Sequence, residues 1–263
     1  RSGLEIYKSI GGHAITATIM EEAWSGQTYS ANDIHYPSMI KWEKVNGVMT
    51  YDYTHFDAWV TFCQEEIGIG DKIVLYSIAP WHNTIKYWEN GVLKSENNNF
   101  GNIASDTMWE HFLNDLIDHL EEKGWFEEAY IGIDERGFSK AAFDLIDSVK
   151  NSDGVPLKTA GAMDGFVNKW DLALRVTDLN VGDTAVAHNP DKFAELIEAR
   201  EALGYRTTLY SCTEHEPGNF SLSAPVESYW IMLNAGKMGG AGFLRWAYDA
   251  WVADPLNDTT HNA

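Results

Sequence analysis

The sequence predicts an α/β barrel of the (β/α)8 type that lacks its first strand. Short apolar runs alternate with amphipathic helical stripes along the chain, a pattern that calls for parallel strands joined by right-handed crossovers. The 263 residues suit one barrel, which commonly needs about 250. The third observation is the opening segment. Leu4-Glu5-Ile6-Tyr7-Lys8-Ser9-Ile10, followed by Gly11 and Gly12, reads as the last turns of a helix with a glycine stop. A barrel that opens on a helix has no first strand, so the chain is expected to be a fragment or to fill the gap with another segment. A doubly wound sheet is the competing arrangement of the same elements.

Apolar runs at 14–19, 73–79, 129–134, 157–162, 184–188, 206–211 and 241–246 read as buried strands. Between them, Trp109, Phe112, Leu113, Leu116, Ile117 and Leu120 form one helical stripe, starting near Ser105 or Asp106 and stopped by Gly124. A second stripe runs through Phe193, Leu196, Ile197 and Leu203, with Asn189 as N-cap, Pro190 at the first position and Gly204 after the end. Shorter stripes occur at Phe56, Trp59, Val60 and Cys63, at Phe143, Ile146 and Val149, and at Val226, Tyr229, Trp230 and Leu233. The connections over 20–53 and 80–104 are long, and each holds a hairpin signal, Asn46-Gly47 and Asn90-Gly91. Long connections on one face of a barrel are where such folds place substrate contacts.

Composition removes several function classes. Acidic side chains outnumber basic ones 39 to 19, a formal net charge of −20 that repels nucleic-acid phosphates. The 11 Trp and 12 Tyr suit the apolar faces of sugar rings, although aromatics are equally at home in a core. Cys63 and Cys212 are far apart and read as two thiols rather than a disulfide scaffold or zinc site. No apolar run reaches the ~20 residues of a membrane span, and no signal segment appears at the start. No Gly-x-Gly-x-x-Gly or phosphate loop follows a strand, which weakens a nucleotide reading, and no cofactor is called for.

The most informative run is Tyr130-Ile131-Gly132-Ile133-Asp134-Glu135-Arg136-Gly137. Alternation puts Gly132 and Asp134 on one face of the strand and Ile131 and Ile133 on the other. If the isoleucines pack against helices, Asp134 points to the barrel axis. Glu135 then points away unless the backbone turns there, and Gly137 makes that turn plausible. Two adjacent carboxylates in a partly dry site repel, which raises the pKa of at least one and suits it to general-acid work. The bland alternative is a pair of loop acids, one of them matched with Arg136. Ser139 is the better N-cap for the next helix.

Tyr-Ile-Gly-Ile-Asp-Glu at 130–135, together with Gly-Phe-Leu-Arg-Trp-Ala-Tyr-Asp-Ala-Trp at 242–251 and Asp254-Pro255-Leu256, resembles the catalytic domain of glycoside hydrolase family 123, the β-N-acetylgalactosaminidases. The order of elements fits over nearly the whole chain. The resemblance implies a single catalytic barrel over residues 1–263 with the acidic pair ending its fourth strand, and an accessory β-sandwich outside this chain. Arg136-Gly137 departs from relatives that carry a proline after the pair. The implied reaction releases β-linked N-acetylgalactosamine from glycans or glycolipids with retention. The sugar's 2-acetamido oxygen attacks the anomeric carbon, Glu135 protonates the leaving oxygen and then activates water, and Asp134 orients the acetamido nitrogen. The substrate class implies a secreted or cell-surface protein.

Other candidates lie at expected strand ends or mouth loops. Tyr210 is placed to bond the acetamido oxygen, and Trp246 to wall the sugar. Trp81 and His82 end one strand and His188 and Asn189 another, with Asn189 also serving as a cap. Asp249, Trp24 and Glu214 complete the set of substrate-binding candidates. Glu214-His215-Glu216 lacks helical metal-ligand spacing, so no metal is expected. The competing readings are a conventional two-carboxylate glycosidase and a non-catalytic carbohydrate-binding barrel.

Overall fold

Helix comes first, as the glycine stop requires. A computed structural model describes residues 1–24, 37–212, 215–219 and 223–245. Helix α1 (Ser2–Ser9) closes with Gly12 N–H donating to the Tyr7 carbonyl at 2.9 Å. A Cβ on Gly12 would lie 2.2 Å from the Tyr7 ring, so only glycine allows that approach. The chain divides into two units, Arg1–Lys158 and Thr159–Ala263.

In the first unit α1 is followed by β1 (Ala14–Thr18), β2 (Lys41–Val45), β3 (Val48–Asp52), α2 (Thr54–Thr61), β4 (Lys72–Tyr76), β5 (Thr84–Glu89), β6 (Val92–Asn97), α3 (Ile103–Lys123), β7 (Ala129–Asp134) and α4 (Lys140–Ser148). Strands β1, β4 and β7 pair in that order, all parallel, with Ala17 opposite Leu75 and Leu75 opposite Ile131. Those three residues are fully buried. The remaining strands make a separate sheet in the order β3-β2-β5-β6, built from the two Asn-Gly hairpins. Both turn asparagines hold positive φ, 52° at Asn46 and 53° at Asn90, as a two-residue turn between right-twisted strands demands.

The long connections therefore form a sheet of their own, anchored by apolar side chains. The Trp42 indole donates to the Ile19 carbonyl at 2.9 Å, beyond the end of β1, and its ring packs on Trp109 and Phe112 of α3. Helix α3 buries the whole expected stripe but starts earlier than predicted: Asn102 is the cap, accepting from Ala104 N–H at 3.0 Å. Ser105 instead bonds the Asn97 carbonyl. Beyond α2 the helix widens over Phe62–Ile67 and stops at Gly68.

In the second unit β8 (Lys158–Met163), α5 (Trp170–Arg175), β9 (Asp178–Gly182), α6 (Asp183–His188), α7 (Pro190–Glu201), β10 (Arg206–Tyr210) and α8 (Pro225–Lys237) follow one another. Strands β8, β9 and β10 are parallel neighbours. Residues 241–244 run alongside β10, with Ala241 N–H on the Thr207 carbonyl at 2.8 Å and Leu244 N–H on that of Leu209 at 2.7 Å. Parallel strands alternating with helices give the α/β class that the sequence predicts.

Two expectations fail here. The strand predicted at 184–188 is helix α6, and the strand of that repeat is β9, six residues earlier. Leu179 and Val181 are fully buried in β9, whereas α6 buries only Val186, and Asn180 disguised the strand by interrupting its apolar run. The stripe Val226, Tyr229, Trp230, Leu233 faces outward, and α8 buries Ile231 and Ala235 instead. That helix is apolar on most sides, so periodicity alone does not choose its inner face.

Arg200 on α7 is fully buried and bonds to no carboxylate among the described residues. Its guanidinium donates to the carbonyls of Val176 at 2.7 Å and Arg206 at 2.8 Å, to the Thr207 hydroxyl at 2.7 Å, and to the Ala173 and Thr177 carbonyls. It caps the C-terminal end of α5, where unpaired carbonyls and the helix dipole attract a cation. Burial pulls its pKa down to about 10.

Candidate active site

Strand β7 ends at Asp134, and the next residue turns the chain. Ile131 and Ile133 are buried on one face, as alternation predicts, while Asp134 and Glu135 are each partly exposed. Glu135 has φ +48°, a left-handed conformation unusual outside glycine. The Arg136 amide donates back to the Asp134 carbonyl across it, closing a three-residue turn. The backbone turn that two carboxylates on one strand end require is therefore present.

Two glycines make room for this corner. A Cβ on Gly132 would stand 3.2 Å from the Leu75 carbonyl oxygen, and one on Gly137, at φ +74°, 2.4 Å from the Ala79 Cβ. The first lets β7 lie close to β4. The second seats the turn against the segment that follows β4. That segment is pinned by polar bonds: the Ser77 hydroxyl donates to the Gly132 carbonyl at 3.2 Å, the Asn98 amide to the Ile78 carbonyl at 2.8 Å, and Trp81 N–H to the Ala23 carbonyl at 3.2 Å. Asn98 is itself fixed by the Trp109 indole at 2.8 Å.

Asp134 meets two donors on one oxygen. The Tyr76 hydroxyl donates to Oδ2 at 2.9 Å, and the Trp81 indole lies 3.3 Å from Oδ2 and 3.1 Å from the Tyr76 oxygen. Tyr76 is 7% exposed and stacks on Trp24 with ring centroids 4.6 Å apart. Burial and the Asp134 carboxylate push the Tyr76 hydroxyl far above the ordinary phenol range, so it remains a donor. Arg136 lies over the Trp81 ring, 4.1 Å from its centroid, and donates to the Trp81 carbonyl at 2.6 Å.

Of the residues singled out in the sequence, Asp134, Glu135, Trp81 and Trp24 thus gather at one corner of the first unit, with His82 exposed next to Trp81. The bland pairing of a loop acid with Arg136 is not observed among the described residues. Tyr76 was overlooked as a site residue because the predicted strand, 73–79, puts it at mid-strand, whereas β4 ends on it. That position alone marks a site candidate in a barrel.

In the second unit Tyr210 ends β10 and is 8% exposed, with its hydroxyl against Gly182. His188 ends helix α6 rather than a strand and is exposed. Asn189 stands where an N-cap stands, but its side chain donates to the Ala185 carbonyl at 3.0 Å and makes no capping bond to α7. The chain reaches Asn189 directly from α6, which draws that amide back to its own last turn. His188 lines a cavity of about 260 Å³ with Asp183, His215, Glu216, Asn234 and Phe243. There His215 pairs with Asp183 at 2.7 Å. Trp246, Asp249 and Glu214 lie outside the described residues. Among the described residues no cluster of three or more His, Cys, Asp or Glu is arranged to hold a metal ion.

Residues 1–263 match the family model described as glycoside hydrolase 123, catalytic domain. The structure is similar to that of a family 123 glycoside hydrolase from Clostridium perfringens, studied for the details of glycolipid glycan hydrolysis. The match has a TM-score of 0.89 and 35% identity, and covers 97% of this chain and 45% of that one. The chain thus spans less than half of that protein's length. The catalytic domain of a β-amylase from Paenibacillus polymyxa aligns at TM-score 0.36 and 13% identity, over 94% of this chain and 88% of that one, too loosely to bear on fold or function. No curated protein matches the chain.

Proposed function

The chain belongs to glycoside hydrolase family 123, and from that premise we propose that it is a retaining β-N-acetylhexosaminidase releasing β-linked N-acetylgalactosamine from glycans or glycolipids. The observation that supports this reading best is the corner at Asp134-Glu135. A left-handed turn at Glu135 redirects the second carboxylate, while Tyr76 and Trp81 hold the first by one oxygen.

An orientation imposed on a carboxylate by two fixed donors suits a group that must align a substrate N–H, because positioning in advance lowers the barrier at the moment of reaction. In this reading Asp134 receives the acetamido N–H and turns the acetamido oxygen toward the anomeric carbon. As the glycosidic bond breaks, Glu135 gives its proton to the leaving oxygen and the acetamido oxygen closes a five-membered oxazolinium ring. Glu135 then takes a proton from water, which opens the ring from the face the leaving group vacated, so the configuration is retained. The nucleophile belongs to the substrate, so the spacing rule for two enzymic carboxylates does not apply. Trp24 and Trp81, both partly exposed, supply aromatic surface beside the pair, suited to a sugar's apolar face, with Tyr76 buried against Trp24. The glycolipid glycans named for the Clostridium relative fit this substrate class, and a substrate of that class would be met at the cell surface or outside the cell.

Turnover of aryl β-N-acetylgalactosaminide and β-N-acetylglucosaminide by the intact chain, Glu135→Gln and Asp134→Asn tests the assignment. The galacto substrate is expected to be preferred, and each variant to lose about 10²–10⁴-fold in kcat. Unchanged turnover in both variants removes the site. Acetamido-thiazoline, which mimics the cyclic intermediate, is expected to inhibit; an active protein that ignores it uses a two-carboxylate route.

A further inference from the structure

Arg136 stands directly after the acidic pair, in a chain whose acidic side chains outnumber basic ones 39 to 19. Even so, it enters no ion pair among the described residues. Among the described residues, its hydrogen bond and its ring contact both go to one residue. Nη1 donates to the Trp81 carbonyl at 2.6 Å, and the guanidinium plane covers the Trp81 ring at 4.1 Å. We propose that Arg136 is a positioning residue, holding the Trp81 indole in the orientation in which its N–H reaches Tyr76 and Asp134. The proposal rests on the reading of Asp134 as the group that aligns the substrate.

The geometry gives Arg136 this leverage. The indole N–H lies between two oxygens, 3.1 Å from the Tyr76 hydroxyl and 3.3 Å from Asp134 Oδ2, so one rotation of the ring removes both contacts. Trp81 is partly exposed, and its backbone is held from two sides, by the Ala23 carbonyl on its N–H and by Arg136 on its carbonyl. Neither backbone bond fixes the ring itself. A planar cation stacked on one face of the ring does, because ring and guanidinium attract through the aromatic quadrupole and exclude other rotamers by contact. Arg136 is in turn fixed at its own base, since Gly137 abuts Ala79 with no room for a side chain. The residue that follows the proposed acid thereby also sets the donor on the proposed aligning carboxylate, coupling the two halves of the corner.

The indole ¹H–¹⁵N resonances of the uniformly labelled chain, with Trp81 assigned by Trp81→Phe, test the proposal without substrate. In Arg136→Ala the Trp81 resonance is expected to move toward that of a free indole and its exchange with water to rise at least about tenfold. Trp42 and Trp109, whose indoles are bonded to the Ile19 carbonyl and to Asn98, serve as internal controls and are expected to stay put. Arg136→Lys keeps charge and a donor but loses the planar stack, and is expected to fall between. Kinetically, Arg136→Ala is expected to lower kcat about tenfold and change KM by less than about threefold, the pattern of a lost alignment rather than lost binding. An unchanged Trp81 resonance in Arg136→Ala overturns the proposal, as does loss of protection at Trp42 and Trp109 in parallel. A wild-type chain inert toward every β-N-acetylhexosaminide removes the proposed function but leaves the indole result readable.

Discussion

Glu135 illustrates how one residue carries conflicting demands. Its side chain is wanted for proton transfer, yet its φ of +48° belongs to glycine's territory. Holding a side chain there costs on the order of 1 kcal/mol or more, a cost met by the Arg136 amide bond back to Asp134 and by the fit of Gly137 against Ala79. Comparison of two substitutions isolates this backbone cost from the loss of the carboxylate. Glu135→Gly is expected to be more stable than Glu135→Ala by about 1 kcal/mol in urea unfolding at equal slope, with both lacking turnover. Equal midpoints would show that the turn is not strained by the side chain. Arg200 makes the opposite point, a charge buried for structure alone. Arg200→Met leaves the Ala173, Val176, Thr177 and Arg206 carbonyls without this donor. It is expected to destabilise the chain by about 3 kcal/mol or more by thermal or urea unfolding. A change below about 1 kcal/mol would mean that water or neighbouring amides replace the guanidinium.

Among the elements, α3 shows what local pattern specifies and what it leaves open. Its apolar stripe and its stop at Gly124, where φ is +75°, are both read directly from spacing. Its start was misplaced by three residues or so, because Asn102, Ser105 and Asp106 are all competent caps and only the tertiary course of the chain selects Asn102. Asn102→Ala is therefore expected to cost about 1 kcal/mol and Ser105→Ala to act elsewhere, through the Asn97 carbonyl. The widened turn after α2 carries Cys63, fully buried, with its thiol pushed up to about 11 by burial from an ordinary value of 9.0. A raised thiol pKa favours the folded state below the unfolded value. The sign follows: this contribution is intact below pH 9 and is lost as the pH climbs toward 11. In the native chain at pH 8, a thiol reagent is expected to label exposed Cys212 promptly and Cys63 only on unfolding. Prompt labelling of both would contradict the packing of this segment.

At the scale of the molecule, a net charge of −20 acts on every part of the fold at once. Like charges repel across distances comparable with the Debye length, about 30 Å in 0.01 M salt and about 8 Å at 0.15 M. Raising ionic strength between those values is expected to raise Tm by a few degrees in differential scanning calorimetry, since compaction of a like-charged chain is what salt relieves. A Tm that falls with salt would instead point to dominant attractive pairs, such as Asp57 with Lys123. Among the described residues no helix is long and apolar enough to cross a membrane.

The α/β class, the two Asn-Gly hairpins and the need for a turn at Glu135 were all legible in sequence, because each follows from local sterics or from a repeat in hydrophobic spacing. The strand β9 escaped that reading because Asn180 interrupts its apolar run. The inner face of α8 escaped it because a helix apolar on most sides carries no directional signal. Tyr76 and Arg136 became site residues only in three dimensions. The bonds of Tyr76 and Trp81 to Asp134 and of Arg136 to Trp81 join segments separated by more than fifty positions, over 2.6 to 3.3 Å. Sequence by itself determines which groups can do the chemistry. The tertiary structure decides which of them meet, because hydrogen bonds and ring contacts act over a few ångströms and the chain distance between their partners leaves no periodic trace.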